Sequence, residues 1–308
     1  PDETSFKAVD KNGNRRPKHF VHAKSGLSDS QVKTLTFKRP HEVFEGQYYL
    51  YKDDISIEDV KQGQIGNCYL ISVLASLSQR PDLIYNVFKS RTVNPDGFYE
   101  LYYYENSEKK IMFIDDNIVM FNSKYLTEFQ FAKPNGEELW VMLLEKAYAK
   151  YEGGYSNIIG GKMYQELNWL TGAIARQIKT DNPSTWNEIY NGVNKNYIIT
   201  TSSNRGSGNH NNKTPNGIAN GHAYSIIGAN EYSSDTQDIR LLRMRNPWGH
   251  TEWKGDFSDN SDKWTPELKE YFEYDKYMGN DGIFFMPFED YVKEFSSFVI
   301  CCIDAGKK

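Results

Sequence analysis

The chain has 308 residues, 39% of them apolar and 15% aromatic, and a formal net charge of −5. That length predicts one large domain or two moderate ones with cores of their own, and two are expected. With no long basic run to meet phosphates and no stretch near the roughly 18 apolar residues of a membrane helix, nucleic-acid binding and membrane spanning are set aside.

Residues 1–50 are polar and broken by Gly, Pro and charge, which predicts a draped segment and no signal peptide. The chain opens on Pro1, as an excised or processed piece does, so regulatory domains outside it are expected. Asp10-Lys11-Asn12-Gly13-Asn14 starts like a calcium loop, but Arg15 stands where that loop needs Gly. After Gly66-Asn67, the spacing of Leu70, Val73, Leu74 and Leu77 predicts a helix from near Cys68 that halts before Pro81. Residues 98–120 predict strand, turn and strand, split by Asn106–Lys110. A second helix is predicted over about 137–151, with Gly153-Gly154 as its stop.

Beyond Gly172 the short apolar runs predict strands at Tyr197–Thr201, Ala223–Ala229, Ile239–Arg245, Gly282–Met286 and Ser297–Ile303. Ser202–Asn220, rich in Ser, Asn and Gly, predicts a long mobile loop. The fold class expected is α+β, with a helix-rich part over 1–172 and a mostly antiparallel β part over 173–308. Three cysteines, two of them the adjacent Cys301 and Cys302, make a poor disulfide framework, and a reducing, cytoplasmic setting is expected.

The chemistry concentrates at three places. Cys68 starts a helix, where free N–H groups and the dipole favour a thiolate and where its own N–H can face a developing oxyanion. Six residues upstream, Gln62 lies in Gln62-Gly63-Gln64-Ile65-Gly66-Asn67-Cys68, whose glycines allow an amide to reach back beside the sulfur as a second oxyanion donor. His222 precedes the apolar run Ala223–Ala229, where a strand can hold its ring. In Arg245-Asn246-Pro247-Trp248-Gly249 the Asn oxygen is suited to accept the far imidazole N–H, with Trp248 shielding the bond. Taken singly, each has an ordinary structural explanation: a buried Cys, a satisfied His at a strand end, an Asn-Pro turn with a packing Trp.

Together the segments QGQIGNCYLISVLASLSQRP, ELWVMLLEKAYAKYEGGYSNIIGG, GHAYSIIGA, LLRMRNPWGHTEWKGDFSDNSDKW and DGIFFMPFEDYVKEFSSFVICC resemble the calpain family of cysteine proteases. The resemblance implies a papain-like two-lobed fold with the active site in the cleft between the lobes. It implies a Cys68–His222–Asn246 triad, Gln62 in the oxyanion hole and Trp248 at the cleft. It also implies a calcium-dependent endopeptidase that makes limited cuts in protein or peptide substrates. The alternatives are a transferase using the same pair, or an inactive calpain-like scaffold that binds partners.

The resemblance further implies two Ca²⁺ sites, with Asp59 and Glu138 at the first and Glu252, Asp259 and Asp281 at the second. Calcium suits such sites because it takes six to eight oxygens from flexible loops. The chain departs from the family pattern at four places. Ile283 stands in place of a Glu ligand, Ile57 in place of the Arg that pairs with that Glu, Tyr69 in place of Trp, and Gly172-Ala173 in place of paired glycines. The second site is therefore expected to be weak, with an apolar Ile57–Ile283 contact substituting for an ion pair.

Overall fold

The computed structural model describes residues 35–122, 127–206 and 213–303. The draped N-terminal segment up to residue 34 and the calcium-loop-like start at Asp10 lie outside the described residues.

The first half is mixed. Strand β1 (Leu35–Lys38) leads through short turns to helix α1 (Cys68–Leu77) and the brief α2 (Pro81–Tyr85). Strands β2 (Phe98–Glu105) and β3 (Glu108–Asp115) form a two-stranded hairpin. The predicted turn is tighter than read: Asn106 and Ser107 both take positive φ, 51° and 63°, the two-residue geometry whose twist matches paired strands. Strands β4 (Ile118–Asn122) and β5 (Thr127–Phe129) then join β1 in a separate sheet of order β1-β4-β5. Helix α3 (Trp140–Glu152) ends at Gly153, which caps it at φ 94°, and α4 (Met163–Thr171) follows.

The chain passes to the second half at Gly172, which ends α4 at φ 70° and whose missing Cβ leaves room for the Tyr104 ring. The second half holds β6 (Ala175–Lys179), α5 (Thr185–Asn194), β7 (Ile198–Ser203), β8 (Ala223–Ser233), β9 (Asp238–Arg245), α6 (Pro266–Tyr271), β10 (Ile283–Pro287), α7 (Phe288–Glu294) and β11 (Phe295–Cys301). Its strands make one antiparallel six-stranded sheet, ordered β10-β9-β8-β7-β11-β6. Residues 207–212 of the predicted mobile loop lie outside the described residues, and its described part is ordered. Lys213 bridges to Ala219, and Ile218 and Ala219 are buried, with the Ala219 N–H donating to Tyr224 Oη.

Helix α1 is mostly apolar, and every residue from Tyr69 to Leu77, Ser72 and Ser76 included, is buried, so it belongs in the middle rather than on a surface. It packs on β7 and β8 on one side and on α3 and α4 on the other. Both faces of the sheet are covered, as the alternation along β11 shows. Val299 and Cys301 join the apolar cluster around α1, whereas Phe298 and Ile300 join a second cluster with Trp186 of α5 and Tyr291 of α7. The α1 cluster crosses between the halves and holds both Ile57 and Ile283. The molecule is α+β, and its central helix begins at the candidate nucleophile.

Candidate active site

Cys68 opens α1 because Gly66-Asn67 breaks the chain before an apolar run. Asn67 is fully buried and donates through Nδ2 to Glu145 Oε1 at 2.6 Å, while Glu145 Oε2 accepts the Ala132 N–H at 2.8 Å. This carboxylate ties the start of α1 to the segment leading into α3. It is wholly buried, and burial pushes it up to about 7 against those two hydrogen bonds.

The thiol of Cys68 meets the N–H groups of Ala223, Tyr69 and Cys68 itself, all of which favour the thiolate. Burial opposes them and is the larger effect, so the thiol lies above its ordinary value. The low thiol pKa expected from the helix N-terminus is thus outweighed in this arrangement.

His222 sits just before β8 and is held from both sides. Its backbone N–H donates to Ser203 Oγ at 2.9 Å, and its carbonyl accepts from the Ser203 N–H at 2.9 Å. Its ring Nε2 lies 2.9 Å from Asn246 Oδ1, with both residues buried. That oxygen also accepts the Trp248 N–H at 3.1 Å, and Asn246 Nδ2 donates to Thr251 O at 2.8 Å. The carbonyl at Thr251 fixes which way the amide points, so Nε2 is the protonated ring nitrogen and Nδ1 is left as the basic one. Trp248 covers the pair, its ring centroid 4.2 Å from that of His222. Burial lowers His222 to about 4, with the Asn246 bond opposing. Thiol and imidazole are therefore both neutral near pH 7, and among the described residues no hydrogen bond joins Cys68 Sγ to the ring.

Gln62 Nε2 donates one N–H to Ile65 O at 2.8 Å, which orients the amide, and its second N–H has no partner among the described residues. Gly63 permits this loop, since a Cβ there would stand 2.0 Å from the Phe131 carbonyl oxygen. The Gln62 N–H crosses to Pro247 O at 3.1 Å, linking the amide-bearing loop to the turn that carries Asn246. Tyr69 donates to Ile158 O at 3.0 Å, and its ring fills the space that Gly161 leaves open.

A model of the calpain family cysteine proteases matches residues 15–302. The chain belongs to the calpain family. It is 30% identical over 294 residues to mouse calpain-12 and 31% identical over 297 residues to human calpain-9. It is 28% identical over 294 residues to the bovine calpain-1 catalytic subunit. These alignments cover 93%, 92% and 92% of the chain but only 40%, 42% and 40% of the relatives. This calpain-family chain thus spans about two fifths of the length of the curated relatives it matches.

The acidic residues that the calpain resemblance assigned to metal fall in two groups. Asp59 and Glu138 interact directly, and Glu138 is pushed up to about 7 by burial and by the Asp59 charge. Glu138 Oε1 accepts the Lys52 N–H, while Oε2 is buried with no hydrogen-bond partner among the described residues. Two facing carboxylates with an orphaned oxygen fit a hard cation. In the second group burial, with Asp259 and Asp281 beside it, raises Glu252 to about 7. Each of these carboxylates accepts a backbone N–H: Glu252 from Gly282, Asp259 from Gly279 and Asp281 from Ile283. Among the described residues no three acids, His or Cys converge closely enough to hold an ion in either group, and Ile283 brings no oxygen to the second.

Proposed function

We propose that this chain is the protease core of a calcium-dependent, cytoplasmic cysteine endopeptidase that makes limited cuts in protein substrates. One observation carries the reading: the buried 2.9 Å contact of His222 Nε2 with Asn246 Oδ1 under Trp248, which reserves Nδ1 as a base. Cys68 at the start of a buried helix supplies the sulfur. Once Nδ1 takes the thiol proton, Sγ attacks the peptide carbonyl. The Cys68 N–H and the free N–H of Gln62 meet the oxyanion, and His222 protonates the leaving amine. Water, deprotonated by the same nitrogen, then releases the acyl group. All three cysteines are free thiols, which supports a reducing compartment. Among the described residues no helix is long and apolar enough to cross a membrane.

Calcium, when bound, supplies positive charge that lets neighbouring carboxylates share a loop. Asp59 and Glu138 would hold it in the first half, while Glu252, Asp259 and Asp281, which do not converge in this arrangement, would hold it only weakly in the second. The family's function supports protein substrates and regulatory domains elsewhere in the full protein. A fluorogenic-peptide assay in millimolar calcium tests the whole reading. Turnover is expected from the native chain and none from Cys68→Ser; equal turnover from both would refute it.

An inactive scaffold is the second reading, favoured by the missing bond between Cys68 and the ring. It predicts no turnover with or without calcium.

A further inference from the structure

Arg245 ends β9 with its side chain buried at 1% exposure, where a guanidinium is costly unless its donors are met. Nη2 crosses to the first half and donates to Val60 O at 2.8 Å. Nε and Nη1 have no hydrogen-bond partner among the described residues. Burial lowers its pKa to about 10, with the charges of Glu58, Asp281 and Asp59 opposing that shift.

The carbonyl that Arg245 holds is two residues from Gln62, and the Gln62 N–H donates to Pro247 O at 3.1 Å. Segments 60–62 and 245–247 are therefore joined by two rungs, with Asn246 between the residues that make them. One rung is backbone to backbone and survives any side-chain change. The other exists only through Arg245. A residue that served packing alone would be better replaced by an apolar one, since burying the cation has a cost that the single bond does not obviously offset.

We propose that Arg245 is a positioning residue: anchored on Val60 O across the halves, it fixes where the Gln62 amide stands relative to the Asn246–His222 pair, and hence the oxyanion site. The inference rests on the protease reading above. Its consequence is selective. Losing the rung weakens binding of a tetrahedral adduct, which needs the oxyanion donors, but not simple alkylation of the thiol, which does not.

The test compares native protein, Arg245→Met and Arg245→Lys in two measurements. One is inhibition by a peptide aldehyde, whose carbonyl carbon bonds to Sγ as the thiol proton passes to the aldehyde oxygen. The other is the rate of Cys68 alkylation by iodoacetamide, located by peptide mass. Arg245→Met is expected to lose about tenfold to a hundredfold in aldehyde affinity, the scale of one charged hydrogen bond, with alkylation changed less than about twofold and partial rescue in Arg245→Lys. Unchanged aldehyde affinity, or equal losses in both measurements, would overturn the proposal. If Arg245→Met does not fold, Arg245→Lys decides by the same comparison. Native protein that alkylates at Cys68 yet binds no aldehyde would remove the protease reading and this inference with it.

Discussion

His222 shows how much of the site a single residue's surroundings decide. Burial holds its pKa near 4, below the ordinary value of about 6.5, so the unfolded chain takes up a proton that the folded chain refuses. Stability carried by this group is complete above pH 6.5 and is lost as pH falls from about 6.5 to about 4, by about 3 kcal/mol. Glu145 and Glu166 are both raised to about 7 by burial and act in the opposite sense, their contribution fading as pH rises from about 4.5 through 7. Histidine NMR should find the His222 ring neutral down to about pH 4.5, and a midpoint near 6.5 would contradict the buried geometry. That Cys68, His222 and Asn246 stand at the ends of α1, β8 and β9 was legible in the sequence because the pattern of each element is strong. Glu145 and Arg245 were not, because nothing in residue order says that a charge in an apolar run is buried rather than pointed outward.

At the scale of elements, the glycines around the site are placed by close approach. Gly63 lies against the Phe131 carbonyl, and Gly161 against the Tyr69 ring at 2.3 Å from an added Cβ. Gly63→Ala must move backbone, so it is expected to destabilise by roughly 2 kcal/mol or more in urea unfolding. Gly46→Ala, with open space around it but φ 95°, should cost less, about 1 kcal/mol. Equal, negligible effects would mean that the loop carrying Gln62 is not held as described. Helix α1 and the strands from β7 to β11 followed from apolar runs bounded by turns. Helix α5 was missed for a physical reason. Its sequence TWNEIYNGVN is rich in Asn and has a glycine in its last turn, poor helix formers. Yet Gly192 is packed close, since a Cβ there would stand 2.7 Å from Ile300 Cδ1 and 2.9 Å from Ile199 Cδ1, and those side-chain ends would have to shift. Tertiary contact overrides local preference there.

Across the whole molecule, one apolar cluster runs through both halves and includes Ile57 and Ile283 at 6% and 3% exposure. We propose that this seam does the work of an ion pair, and that calcium is held tightly only by Asp59 and Glu138. Calorimetric titration is expected to give one tight site and a second that is weak or absent, with Glu138→Gln removing the tight one. Two equally tight sites would contradict the seam. The halves are also joined by Ser225 Oγ to Ser72 O at 2.9 Å and Ser76 Oγ to Ile199 O at 3.1 Å. These links could not be read from sequence, since they depend on how α1 lies across the sheet. The central claim remains that sulfur and imidazole act on one bond. The most direct measurement is the rate at which a peptidyl epoxide labels Cys68 in calcium, in native protein and in His222→Ala. Labelling at Cys68, slowed at least about a hundredfold by the substitution, is the predicted result. No labelling of the native chain, or a rate indifferent to His222, would contradict it.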